Sequence, residues 1–143
     1  MYKKLLDLIL ENNLDRKLIR SNFGLEKENL RVDSNGKLAL TKHPEIFKED
    51  NPYIKRDFSE SQVEMVTPAC KSVDEVYDFM ENLHNIVTTS LKDEYLWPQS
   101  NPPIIPKDDE IPVAKLHKKE EVTYREGLVK KYGAKRQLVS GVH

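Results

Sequence analysis

The chain has 143 residues, the size of one domain, and 38% of them are hydrophobic, which supports one modest core and not a second. Charged residues make up 33%, and 23 basic against 24 acidic side chains leave a formal net charge of -1. With no basic excess to release phosphate counterions, no nucleic-acid partner is expected, and attraction to a membrane surface is equally unsupported.

The opening "MYKKLLDLIL" sets two lysines before an apolar run, but Asp7 interrupts it and no small-residue cleavage site follows. It reads as an amphipathic helix from Tyr2 to about Asn12, with Leu5, Leu6, Ile9 and Leu10 on one face. No apolar run approaches the ~20 residues of a membrane span. The single Cys70 has no internal disulfide partner and lies outside any cysteine-histidine cluster, so it reads as a structural thiol and the cytoplasm as the simplest compartment.

"FGLEKENLRV", then "DSNGK" and "KLAL", predicts a hairpin, because Asn35-Gly36 favours the positive φ angles of a tight turn. "KHPEIFKEDNPY" reads as a loop, and "IKRDFSESQVEMVTP" as extended chain carrying Phe58, Val63 and Met65. Ser72 with Glu75 forms a capping-box pattern that opens a helix through Val76, Phe79, Met80, Leu83, Ile86 and Val87 to about Leu91. "LWPQSNPPIIPKDDEIP" holds five prolines in 17 residues; it is expected to be irregular, yet pinned by Trp97 and its isoleucines. "KKEEVTYREGLVKKYG" predicts a helix stopping at Gly133, and "AKRQLVSGVH" a final strand. The order implies an α+β fold, an antiparallel sheet covered by helices, with only about four strands and so an incomplete domain.

Four acids stand out by placement. Glu26 and Glu28 share one face of a strand, with α-carbons roughly 7 Å apart. If their strand neighbours the one carrying Asp57 and Glu64, the four converge, and repulsion raises their pKa values unless cations, magnesium most naturally, sit among them. Placement alone favours the plainer reading, a solvated sheet face. Asp57 and Glu64 are also seven residues apart, opposite faces of a regular strand, so convergence requires a bulge or bend near Ser59. Arg125 could clamp a phosphate or carboxylate, although alone it reads as a helix-surface charge, and Gln137 and His143 share strand parity. His43, His84 and His117 show no metal-site spacing, and phosphate-loop, dinucleotide and serine-elbow motifs do not occur.

Taken together, "FGLEKENLRV", "TKHPEIF", "RDFSESQVEMVTP", "LWPQSNPP" and "YREGLVKKYGAKRQLVSGVH" resemble the glutamate–cysteine ligases, especially the form fused to glutathione synthetase in some bacteria. The resemblance runs in family order from Phe23 to His143. It implies a partial glutamine synthetase-like fold, and an ATP-dependent joining of L-glutamate, through its γ-carboxylate, to L-cysteine by way of a γ-glutamyl phosphate. It also implies that Glu26, Glu28, Asp57, Glu64 and His143 hold magnesium, or manganese in its place. Arg125 would be catalytic, and Phe58, Tyr124, Gln137 and Val139 would line the substrates.

Lys27 departs from the arginine frequent in the family, but on the face away from the acids. Family catalytic domains are several times longer, so residues 1–143 are expected to be the amino-terminal portion of one, ending inside the active site and inactive alone. Two alternatives stay open: a non-catalytic acidic module binding divalent ions or a partner chain, with self-association through an unfilled sheet edge, or a ligase joining glutamate to another amine.

Overall fold

The computed structural model describes residues 2–18 and 20–143. Two helices, α1 (Tyr2–Glu11) and α2 (Asp15–Leu18), lead into the strand β1 (Glu26–Val32). The short strand β2 (Ile54–Lys55), then β3 (Gln62–Val66), the long helix α3 (Val73–Ser90) and β4 (Tyr95–Leu96) follow. Helix α4 (Lys119–Tyr132) and β5 (Gly141–Val142) complete the chain. The sheet runs β2-β3-β1-β4, with β5 also paired to β1, and every ladder is antiparallel. The expected α+β class is what the chain adopts.

β1 is central because its side chains serve two cores. Opposite it, Val63 and Met65 of β3 point to the face covered by α3, where they join Phe47, Ile54, Met80, Leu83 and Val87. Leu30 projects to the other face and packs with Leu38, Phe58, Ile111, Ala134 and Leu138, against which Leu128 and Val129 of α4 lie. The same alternation sends Glu26 and Glu28 to the α4 side and Lys27 and Asn29 to the α3 side. α3 begins at the expected N-cap, with Glu75 N–H donating to Ser72 Oγ at 3.1 Å, but the return bond of the capping box shifts by one residue: Glu75 Oε2 accepts from Lys71 N–H at 2.7 Å, not from Ser72.

Several expectations are corrected. Residues 54–68 are not one extended run: the chain reverses between β2 and β3, so Lys55 lies opposite Glu64 and Ile54 opposite Met65. The polar side chains of the reversal supply its bonds, Ser59 N–H donating to Gln62 Oε1 at 3.1 Å and Ser61 N–H to Ser59 Oγ at 2.9 Å. Such local bonds compete with an extended ladder. The hairpin turn at Asp33 to Gly36 forms, but only Gly36 takes a positive φ, 73°, as the left-handed residue of a three-residue connection. "KLAL" then leaves the ladder after isolated bridges from Leu38 to Val32 and from Lys37 to Ile104.

The last ten residues are also not one strand. Asp108 accepts from the N–H groups of Ala134 at 3.0 Å and Lys135 at 2.9 Å, and these bonds hold its carboxyl below the usual range. They anchor a 3₁₀ turn over Lys135–Gln137, leaving only Gly141 and Val142 extended. β4 lies where the proline count pointed to irregular chain, just ahead of Pro98. The proline-rich segment itself is pinned as expected: Trp97 and Ile105 pack on the second core, and Trp97 Nε1–H donates to the Asn101 carbonyl at 2.7 Å. α1 forms, but its leucines stay largely exposed and none of its residues is buried.

Candidate active site

Glu28 and Glu64 are direct partners across β1 and β3. Directly opposite residues in an antiparallel pair have side chains about 5 Å apart at Cβ, so two like charges meet there. Asp57, carried inward by the reversal after β2, adds a third negative charge. Burial and Asp57 together push the Glu28 carboxyl above its ordinary range, although His143 pulls the other way. Burial, then Asp57, raises Glu64; Lys55 opposes this, and Glu26 and Glu28 reinforce it. Glu28, Glu64 and Asp57 lie near enough to perturb one another, Glu26 stays exposed at the start of β1, and the bend that their approach required near Ser59 is the reversal before β3.

Glu26 and His143 are tied through their backbones. Glu26 N–H donates to the His143 carbonyl at 2.7 Å, and His143 N–H returns to the Glu26 carbonyl at 2.8 Å. The His143 imidazole comes within 3.5 Å of Glu28, Nε2 to Oε1. β5 therefore extends the acid-bearing face by one strand and sets the histidine beside the acids.

Next to the acids lies a cavity of about 290 Å³, lined by Glu28, Asp57, Phe58, Tyr124, Arg125, Leu128, Gln137, Val139, Ser140, Gly141 and His143. All four residues expected to line substrate are among these. Arg125 reaches the cavity from the first half of α4. Its Nε–H donates to the Asp57 carbonyl at 3.0 Å, its Nη1–H to the Glu121 carbonyl at 3.3 Å, and Nη2 stands 4.0 Å from Asp57 Oδ1. The guanidinium is thus held by backbone acceptors, with the Asp57 carboxylate at the outer limit of ion-pair distance.

Gln137 and His143 do meet at one cavity, though not through shared strand parity, since Gln137 sits in the 3₁₀ turn. That turn is fixed from below. Gln62 Nε2–H donates to the carbonyls of Gln137 and Val139, each at 3.2 Å, and Ser140 Oγ accepts from Leu30 N–H at 3.3 Å. Gln62, Leu128 and Ser140 were not singled out in the sequence. Leu128 was legible, being one helical turn on from Tyr124 and Arg125; Gln62 and Ser140 had no local signal.

The donor set suits a hard divalent cation: carboxylate oxygens, partly buried, with surplus negative charge. Among the described residues no three His, Cys, Asp or Glu side chains stand close enough together to hold a metal ion. Magnesium does not ask for three, because it keeps several waters and is typically held by one or two carboxylates plus substrate phosphates. The residues present fit that mode.

The family model for glutamate-cysteine ligase matches residues 6–143. The chain is 54% identical to the glutathione biosynthesis bifunctional protein of Clostridium perfringens, covering 99% of this chain and 19% of that protein. It is 48% identical to the glutamate–cysteine ligase of Clostridium acetobutylicum, over 88% of this chain and 27% of that protein. A crystal structure of a bifunctional glutathione synthetase from Pasteurella multocida superposes with a TM-score of 0.85 at 41% identity, over 94% of this chain and 18% of the other. That of the Francisella tularensis glutamate–cysteine ligase in complex with AMP gives 0.80 at 31%, over 85% and 26%. The chain spans about a fifth of the length of the bifunctional relatives. Sequence and fold agree, and the α+β, glutamine synthetase-like chain belongs to the glutamate–cysteine ligase family.

Proposed function

We propose that the protein carrying this chain joins the γ-carboxylate of L-glutamate to the amino group of L-cysteine at the expense of ATP, the first step of glutathione synthesis. The observation that carries this reading is the cluster of mutually repelling acids opening onto a cavity with a backbone-held arginine. In the first step a γ-carboxylate oxygen attacks the terminal phosphorus of ATP, and ADP leaves. In the second, the cysteine nitrogen attacks the acyl carbon, phosphate leaves with the bonding pair, and the nitrogen gives up a proton.

Glu26, Glu28, Asp57, Glu64 and His143 are the groups we assign to magnesium, or to manganese in its place, one or two of them to each ion with substrate phosphates and water completing its shell. Bound there, the cation neutralises triphosphate charge and the charge building on the transferring phosphoryl. Arg125 is the catalytic cation of this chain. Its guanidinium has two backbone anchors and needs no reorganisation to meet a phosphoryl or carboxylate oxygen as charge develops. Phe58, Tyr124, Gln137 and Val139 form walls that orient substrate, Phe58 on the amine side, and exclude water that would hydrolyse the acyl phosphate. The amine is a free thiol amino acid, which points to the reducing cytoplasm.

The test is glutamate- and cysteine-dependent ADP release by the whole protein, with the γ-glutamyl dipeptide identified by mass. Arg125→Ala lowers kcat about a hundredfold or more, the cost of removing one preorganised donor to a developing oxyanion. Full turnover in that variant removes Arg125 from the chemistry. ADP release that proceeds equally with another amine in place of cysteine transfers the reading to a ligase of different amine specificity.

A further inference from the structure

We propose that Gln62, which does not itself line the cavity beside the acids, is a positioning residue that sets the distance between two of its walls and so selects the amine's side chain; the proposal rests on the ligase reading above. Three stretches remote in sequence supply those walls: the reversal with Phe58, α4 with Tyr124 and Arg125, and the last segment with Gln137 and Val139.

The first two stretches are tied directly, since Arg125 Nε–H donates to the Asp57 carbonyl at 3.0 Å. The third depends on more remote groups. Val139 is 53% exposed, so its own packing does not place it, and Asp108 grips the segment only at its start, through the N–H groups of Ala134 and Lys135. Leu138 is buried in the same core as Phe58, which fixes its depth. Apolar burial is non-directional, and it does not fix the tilt of the peptide groups on either side.

Gln62 supplies that direction. Its side chain is fully buried, and Nε2–H donates to the carbonyls of Gln137 and Val139, each at 3.2 Å. Its Oε1 accepts from Ser59 N–H at 3.1 Å, and its backbone N–H donates to the Ser59 carbonyl at 3.0 Å. Only one orientation of the amide satisfies these partners. Turned over, it would set its oxygen against two carbonyls and its NH2 group against an N–H. One carboxamide therefore joins the residue next to Phe58 to the backbone on both sides of Leu138.

Phe58 and Val139, the apolar pair joined in this way, bound the space for the amine's side chain. A fitted apolar pocket separates side chains that differ by one methylene by about 10–200-fold, and a wall free to shift gives up part of that discrimination. Glutamate and ATP are less affected, because the acids and Arg125 that meet them have anchors of their own.

The experiment is steady-state ADP release by the whole protein with cysteine and with homocysteine, its homologue one methylene longer. Gln62→Met keeps the length of the side chain and loses its three bonds. It should raise KM for cysteine about tenfold with a much smaller change in kcat, and narrow the preference for cysteine over homocysteine about tenfold. KM for glutamate and for ATP should stay unchanged. Gln62→Asn, which keeps the amide but is one methylene too short to span the gap, should act in the same direction. Val87→Ala, in the core on the other face of the sheet, is the control: it lowers the melting temperature and leaves the preference between the two amines unchanged.

An unaltered preference in the folded Gln62 variants, or an equal loss with both amines in kcat alone, would overturn the proposal. Failure of both variants to fold would make Gln62 a residue of the fold alone and overturn it as well. Absence of glutamate- and amine-dependent ADP release from the unsubstituted protein overturns the ligase reading instead.

Discussion

Glu28 and Glu64 face each other as direct partners in an antiparallel ladder, a placement that destabilises a sheet unless a cation intervenes. Both carboxyls are pushed up, chiefly by burial. A carboxyl whose pKa is higher folded than unfolded destabilises the fold above its folded pKa, and that penalty disappears as pH falls below the unfolded value. Glu28→Gln and Glu64→Gln are therefore expected to raise the melting temperature by a few degrees at neutral pH. The gain shrinks towards zero below the ordinary glutamate range. Melting curves at neutral and acidic pH with a chelator check this; destabilisation by both substitutions at neutral pH would contradict it.

Magnesium should reverse that ranking. A cation that binds the folded acids and not the unfolded chain stabilises by mass action. The unsubstituted protein gains more from added magnesium than either glutamine variant, read as the shift in melting temperature across a magnesium series. Equal shifts in all three would remove the two glutamates from the ion site.

His43 sets an acid limit on stability by a different route. It is 9% exposed, neither ring nitrogen has a partner, and burial with the nearby Arg31 and Arg56 charges lowers its pKa to about 4. Between pH 6.5 and 4 the unfolded chain binds a proton there that the folded chain does not. Stability is thus full above the unfolded value and falls through this window by up to about 3 kcal/mol, then levels off. His43→Phe should flatten that limb of the pH–stability curve.

The fold was legible where local chemistry decided it. Ser72 and Glu75 announced the start of α3, and Gly133 the end of α4, where it takes a φ of 81°. Ordered motif matches pointed to Phe58, Tyr124, Gln137 and Val139, all of which line the cavity beside the acids, but not to Leu128 or Ser140. What the sequence hid was set by distant partners: Asp108 capping the turn that carries Gln137, and Gln62 bonding across to the Gln137 and Val139 carbonyls. The chain reversal before β3 was also concealed, because its serines form turn bonds while neighbouring Phe58 and Val63 read as strand.

Arg31 illustrates the same limit. It is 1% exposed near the carboxyl end of β1, paired with Glu94, and it donates to the carbonyls of Thr41 at 2.9 Å and Glu60 at 2.7 Å. Glu94→Gln removes the carboxylate bonded directly to that buried guanidinium, leaving only the more distant Glu60 charge, and should cost about 3 kcal/mol in denaturant unfolding. The double variant Arg31→Met with Glu94→Met should cost less than the two single changes summed, because neither charge is left alone.

The central claim is that the acid face serves ATP-dependent ligation, and Glu64→Gln in the whole protein tests it most directly. Glutamate- and cysteine-dependent ADP release, followed across magnesium concentrations beside a melting curve, should fall about a hundredfold or more at neutral pH while the variant stays folded. Turnover equal to the unsubstituted protein, with unchanged magnesium dependence, would contradict the account.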